Sequence, residues 1–559
     1  MKHWAQYLLT AIAAVGTSFA VIAIASAETC TLELKRLESR NSSSPTDYIF
    51  RTTMPQSFND QIGPVGKNQI RFGGAEERAA AFKKLVTKEP KYESDHPFRG
   101  VVKLGSQEYA FALDEAIPDS EKKKAESEDK DAKPQTDDAK KETKDTKSDS
   151  AVANLVGSLI QALSPSDRPA AKPPKAMGFN RLYFDFNHNG DLTDDKVIEA
   201  EPMPGQIANQ MVNQSYRQFS FPRVDVTIDV DGTKVDYAFF LSGYVNVQPS
   251  FSYAGVQINA AAYREGEITL DGKKRRVVVL DYNSNGRFDD NFQVSKVMSG
   301  RDGQVYIQEG DMLLTDPNQQ ANIRYSSPYQ TTRNSYQHYV SKIIDIDGRC
   351  YDLKISPAGD ELTLTPSSVL MGKITNPNAQ FSAVIYSDQG VLEISGNKDT
   401  PISIPEGEWK LLSYNINQIE SPEPSKQAGK KEESKKSSGV QGIGQALESL
   451  LGNATPVAPP ARRFTMISAQ GTTKYKPVKV REGETVEFPF GPPYKPLVTL
   501  DYIQGGNNNK QAQLGMSLVG SVGEMVTNMM VNGSRPSKPD FTIKDPKGEV
   551  VQSGSFEYG

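Results

Sequence analysis

Cysteine, histidine and tryptophan are scarce in this chain of 559 residues, which holds two, four and two of them. Two Cys exclude a disulfide-dense scaffold and a cysteine-rich zinc array. Four His, one of them at position 3, leave little material for histidine-based metal or acid–base chemistry. An excess of positive charge is also missing. The 64 Lys and Arg stand against 69 Asp and Glu, and a net charge of −5 excludes a generally basic, nucleic-acid-coating protein. After the first 24 residues no apolar run approaches the ~20 residues that span a bilayer. The G-x-S-x-G, H-E-x-x-H, C-x-x-C, Walker and Rossmann motifs are absent as well. Apolar residues make up 37% of the chain, too few for one large compact body, so part of it is expected not to fold.

What is present begins with a targeting pattern. Lys2 precedes an apolar run from Tyr7 to Ile24, and Ala25-Ser26-Ala27 is the small-x-small site that signal peptidase reads. Residues 1–27 are therefore expected to be a signal peptide cleaved before Glu28. The mature chain would be secreted, periplasmic or on the cell surface, with no transmembrane segment. In an oxidising compartment Cys30 and Cys350 are expected to form a disulfide.

Two segments look unfolded. Residues 119–150 hold 9 Lys and 11 Asp or Glu, with no apolar residue larger than Ala. Such a stretch cannot bury enough surface to offset the entropy of ordering. Residues 420–461 repeat the recipe: a Lys/Glu/Ser tract, a short apolar stretch and a Pro-rich exit. One helix is credible, Ala75 to Lys88, with acids early and lysines late as the helix dipole favours. The remainder reads as strands. β-Branched runs meet at Asp231-Gly232, Asp271-Gly272 and Asp347-Gly348, and Asp-Gly between such runs signals a type I′ hairpin. The fold class is therefore mainly β, a multidomain string of small β-sandwich or barrel-like units with one short helix and two disordered inserts. The expected units are 28–215 (with a disordered insert at 117–176), 216–335, a hairpin extension at 336–372, a β-sandwich at 373–490 (with a disordered insert at 420–461) and a last β domain at 491–559.

The sharpest feature is a repeated polar loop. Asp185-Phe-Asn187-His-Asn189-Gly190-Asp191-Leu-Thr-Asp194-Asp195 and Asp281-Tyr-Asn283-Ser-Asn285-Gly286-Arg287-Phe-Asp289-Asp290 share one spacing. Oxygens at positions 1, 3 and 5 of a tight loop converge on a point, which suits Ca²⁺ with its six to eight oxygen ligands. Gly at position 6 permits the sharp turn. Both loops resemble the calcium loop of EF-hand and dockerin proteins. The resemblance implies Asp185, Asn187 and Asn189 as side-chain ligands in loop one, with Asp191 through its carbonyl. It implies Asp281, Asn283 and Asn285 in loop two, with Arg287 through its carbonyl. Position 12 departs from the pattern, being Lys196 and Phe292 instead of Glu. Asp194 and Asp290 at position 10, or Asp195 and Asp289 beside them, are the candidate replacements. Each loop follows a strand rather than a helix, so the unit is not an EF-hand fold.

Further on, Ile404-Pro405-Glu406-Gly407-Glu408-Trp409-Lys-Leu411 resembles a segment of carboxypeptidase-regulatory-like and prealbumin-like β-sandwiches. The chain as a whole is similar to large uncharacterised secreted proteins of Planctomycetes, through PFRGVVKLG, YREGEITLDGKKRRVVVLDYNSNGRFDD and the terminal SGSFEYG. That resemblance brings compartment and architecture but no activity. The expected function is a non-catalytic, calcium-binding structural or binding protein of the cell envelope, whose partner is an envelope protein or a polysaccharide. The alternative is an extracellular polysaccharide-acting hydrolase with structural calcium, since acidic residues are plentiful enough for a carboxylate pair.

Overall fold

The computed structural model describes residues 26–39, 53–61, 74–116, 178–201, 216–247, 252–295, 303–317, 336–420, 463–504 and 510–558. The expected signal peptide and both charged inserts lie outside the described residues, except at their margins. Among the described residues the fold is mainly β, with 33 strands and one helix. The helix is Ala75–Leu85, shorter at its end than the sequence pattern suggests. Gly74 opens it in the left-handed region, and Glu76, Glu77, Lys83 and Lys84 sit at the ends their charges favour. Its Phe82 is buried on Ala110, Ala112, Tyr183 and Leu192.

All three Asp-Gly hairpins form. Asp231, Asp271 and Asp347 have φ near +50°, and the glycines that follow have φ of 90°, 75° and 83°. This is the doubly left-handed pair that a type I′ turn demands.

One continuous core runs from Leu32 to Leu364 and also takes in Val384, Val391 and Leu412. The chain's early strands complete sheets made later: Glu28–Thr31 pairs with Glu361–Pro366, Glu33–Arg36 with Ala262–Leu270, and Gln56–Gln61 with Ser252–Ala260. That core therefore draws on residues from both sides of the expected boundaries at 215/216 and 335/336. A second core gathers around Trp409, which is 1% exposed and donates its indole N–H to the Pro405 carbonyl at 2.8 Å. Its main sheet also takes in Lys495–Gln504, Lys510–Val519 and Met525–Val531, so the boundary at 490/491 runs through a sheet as well. Among the described residues of the last segment, only the hairpin Asp540–Lys544/Val550–Ser555 forms a sheet of its own.

The disulfide expected between Cys30 and Cys350 is not formed, and both are free thiols. They share one sheet, separated by the strand Glu361–Pro366. Cys30 lies opposite Leu362, whereas the Cys350 carbonyl accepts from the Ser367 amide beyond that strand's far end. Five residues of offset are about 17 Å along a strand, and two strand spacings add about 10 Å across, far beyond the reach of a bridge. Burial pushes both thiols up to about 11.

Candidate metal centre

Each Asp/Asn loop is delivered by the buried end of a strand. Arg181–Phe184 leads into Asp185, and Lys273–Leu280 leads into Asp281. Both strands run antiparallel beside an earlier strand and a later one, so the loops emerge at matching places in two sheets.

The loops close by one scheme. Position 1 accepts from the amides of positions 5 and 6: Asn189 and Gly190 to Asp185 at 3.0 Å each, Asn285 and Gly286 to Asp281 at 3.0 and 2.7 Å. Position 5 accepts from the amide of position 7, with Asp191 to Asn189 at 2.7 Å and Arg287 to Asn285 at 2.9 Å. Positions 4 and 6 are left-handed in both: His188 and Ser284 have φ of 59° and 60°, Gly190 and Gly286 of 79° and 81°. The glycines are also held in close contact. A Cβ on Gly190 would lie 2.5 Å from the Leu85 carbonyl oxygen, and one on Gly286 would lie 2.8 Å from the Gly105 nitrogen.

Positions 3, 5 and 10 converge. The Asn187 and Asn189 amides reach the Asp194 carboxylate at 3.4 and 2.8 Å, and those of Asn283 and Asn285 reach Asp290 at 3.1 and 2.6 Å. Of the candidate replacements for position 12, position 10 is the one beside positions 3 and 5. Asp195 instead accepts from the Phe186 amide, and Asp289 pairs with Arg287, whose guanidinium also reaches Asp231. Asp191 is held by Lys88 and Thr193, which draw its carboxyl down to about 2. His188 is exposed at the rim, with its Nε2 at 2.9 Å from the Glu108 carbonyl oxygen.

Loop two is the more deeply set, and two residues that sequence patterns do not reveal support it. Asp311 is fully buried and accepts from the Tyr282 and Asp290 amides at 2.9 Å each. Tyr237, equally buried, donates to Asp281 at 2.5 Å. Burial pushes the Asp281 carboxyl up to about 7 against these donors, and pushes Asp311 well above the carboxylate range. Nothing in sequence spacing ties Asp311 to the loop; it simply opens the apolar strand Met312–Thr315.

The residues fit a hard cation on two observations. The Asn283 Oδ1 is buried with no hydrogen-bond partner, at the position where a calcium loop places a ligand oxygen. Asp281, Asp290 and Asp311 also repel one another, while the nearby Arg287 is committed to Asp289 and Asp231. The Asn285 oxygen is held by the Arg287 amide, so only the Asn283 amide is able to turn its oxygen toward the Asp290 carboxylate without losing a bond to its oxygen, an arrangement favourable only around a cation. Among the described residues no three His, Cys, Asp or Glu side chains are arranged to hold a metal. A cation here would depend on asparagine oxygens too.

Comparison with known proteins finds no matching family model, no matching curated protein and no matching solved structure.

Proposed function

We propose that the protein is a secreted, calcium-stapled structural or binding protein of the cell envelope, without catalytic activity. The observation that carries the reading is the convergence of positions 3, 5 and 10 in both loops, with a buried, unsatisfied Asn283 oxygen in one of them. Bound calcium would supply the positive charge that the buried carboxylates lack. It would fix each loop where the chain passes from strand to irregular backbone. Asparagine at two of the converging positions lowers the ligand charge, so dissociation constants of roughly 10⁻⁴–10⁻³ M are expected, as in extracellular modules. Calcium then acts as a staple and not a signal. Equilibrium dialysis against ⁴⁵Ca²⁺ tests the reading. Two sites are expected, with one lost in Asp185→Asn and the other in Asp281→Asn. Absence of binding at millimolar calcium would overturn it.

A further inference from the structure

The sheet of Gln56–Gln61, Ser252–Ala260, Thr233–Val247 and Tyr216–Ser220 has one face in the first core, through Phe58, Val256, Val245 and Phe219. Its other face is unusual. Strand alternation and register place Tyr216, Asn246 and Tyr253 in one row across it, and Gln218, Tyr244 and Gly255 in the next. Continuing over all four strands, the outward positions opposite Val245 to Leu241 are Tyr, Gln, Asn, Ser or Gly, and none is charged. The other half of the same sheet is an ordinary solvated surface, with Asp225, Asp229, Lys234 and Asp236 outward.

The aromatic geometry adds to this. A Cβ on Gly255 would lie 2.6 Å from the Tyr244 ring, so the glycine is what lets that ring lie down on the sheet. Tyr216 is nearly parallel to it, with centroids 5.4 Å apart and planes at 23°. Tyr253 stands upright beside it, at 5.8 Å and 88°. The three rings make a floor and a wall, bordered by neutral amides that both donate and accept hydrogen bonds.

We infer that this face binds an uncharged polysaccharide. Sugar rings present flat C–H faces to aromatic floors and a rim of hydroxyls to amide groups. Outward strand positions without charge offer little to an acidic or basic partner and spare a neutral ligand their desolvation, while the Arg78 guanidinium at the Gln56–Gln61 edge donates to the Asn59 carbonyl. The inference deepens the proposed binding role by naming its ligand class, but it does not depend on the calcium loops.

The test is retention of the full chain on microcrystalline cellulose, chitin and starch granules, with carboxymethylated cellulose as the charged comparison. Each is run in 5 mM CaCl₂ and in EGTA. Wild type is expected to be retained on at least one neutral polysaccharide in both buffers below its melting point. Tyr244→Ala is expected to weaken retention about tenfold, with an unchanged melting temperature. Gln218→Ala, at an exposed position, is expected to weaken it several-fold and serves if the Tyr variant does not fold. No retention on any neutral polysaccharide, equal retention by the folded variants, or retention on the charged polymer alone would overturn the inference. None of those results would touch the calcium reading, which rests on dialysis and melting.

Discussion

Three glycines with similar backbone geometry separate conformational strain from packing. Gly232, Gly190 and Gly286 have φ of 90°, 79° and 81°. An alanine at any of them suffers the left-handed penalty of ~1–2 kcal/mol. At Gly232 the added methyl meets nothing within 4 Å, so that penalty is the whole effect. At Gly286 it meets the Gly105 nitrogen at 2.8 Å and Ile228 Cδ1 at 2.6 Å. Relief requires the loop to move away from the 104–107 turn, which breaks the bond from the Gly105 amide to the Asn285 carbonyl at 2.6 Å. That loss costs about 0.5–1.5 kcal/mol, and the crowding about 1–3 more. Gly286→Ala should therefore cost about 2.5–6.5 kcal/mol against about 1–2 for Gly232→Ala. Differential scanning calorimetry in EGTA should show the first core melting roughly 10 °C lower in Gly286→Ala and roughly 4 °C lower in Gly232→Ala. Gly190→Ala should resemble Gly286→Ala, because its methyl would meet the Leu85 carbonyl. Equal shifts for Gly232 and Gly286 would refute the argument that the loops are clamped from outside.

Asn283→Asp adds a carboxylate beside Asp290, so it should lower the melting temperature in EGTA and tighten calcium several-fold; the same loss in both buffers would mean that loop two holds no cation. Both cysteines should react as free thiols in denaturant. In the native state the thiolate is about one part in a thousand at pH 8, given thiols held near 11, so alkylation should be slow and rise about tenfold per pH unit. Rapid native alkylation at pH 8 would contradict that burial. Trp409→Ala should cost about 3–5 kcal/mol by emptying the centre of the second core, read by urea unfolding. Asp311→Ala strands the Tyr282 and Asp290 amides and should cost about 2–4 kcal/mol. Asp311→Asn, which keeps an acceptor, should cost less.

Local chemistry was legible in the sequence where it is decided locally. The Asp-Gly hairpins, the charge order of the helix and the left-handed glycines of both loops follow from steric limits on single residues. Long-range pairing was not legible. Residues 28–36 complete sheets with residues 262–265 and 361–364, and nothing in a four-residue strand names its partner. The same blindness produced the disulfide expectation, since two cysteines can share a sheet and still lie out of reach. It also hid Asp311 and Tyr237, which meet loop two only through the folded core. The uncharged tyrosine face is a property of register across four strands, and no one of those strands carries it alone.

The most direct measurement is calorimetric melting of the wild-type chain in 5 mM CaCl₂ and in EGTA. With dissociation constants of roughly 10⁻⁴–10⁻³ M, mass action gives about 1–2 kcal/mol per site. Two sites in the first core should raise its melting temperature by roughly 4–10 °C and leave the Trp409 core, followed by tryptophan emission, almost unmoved. Coincident first-core transitions in calcium and EGTA would contradict the account, and the loops would then be hydrogen-bonded turns that bind nothing.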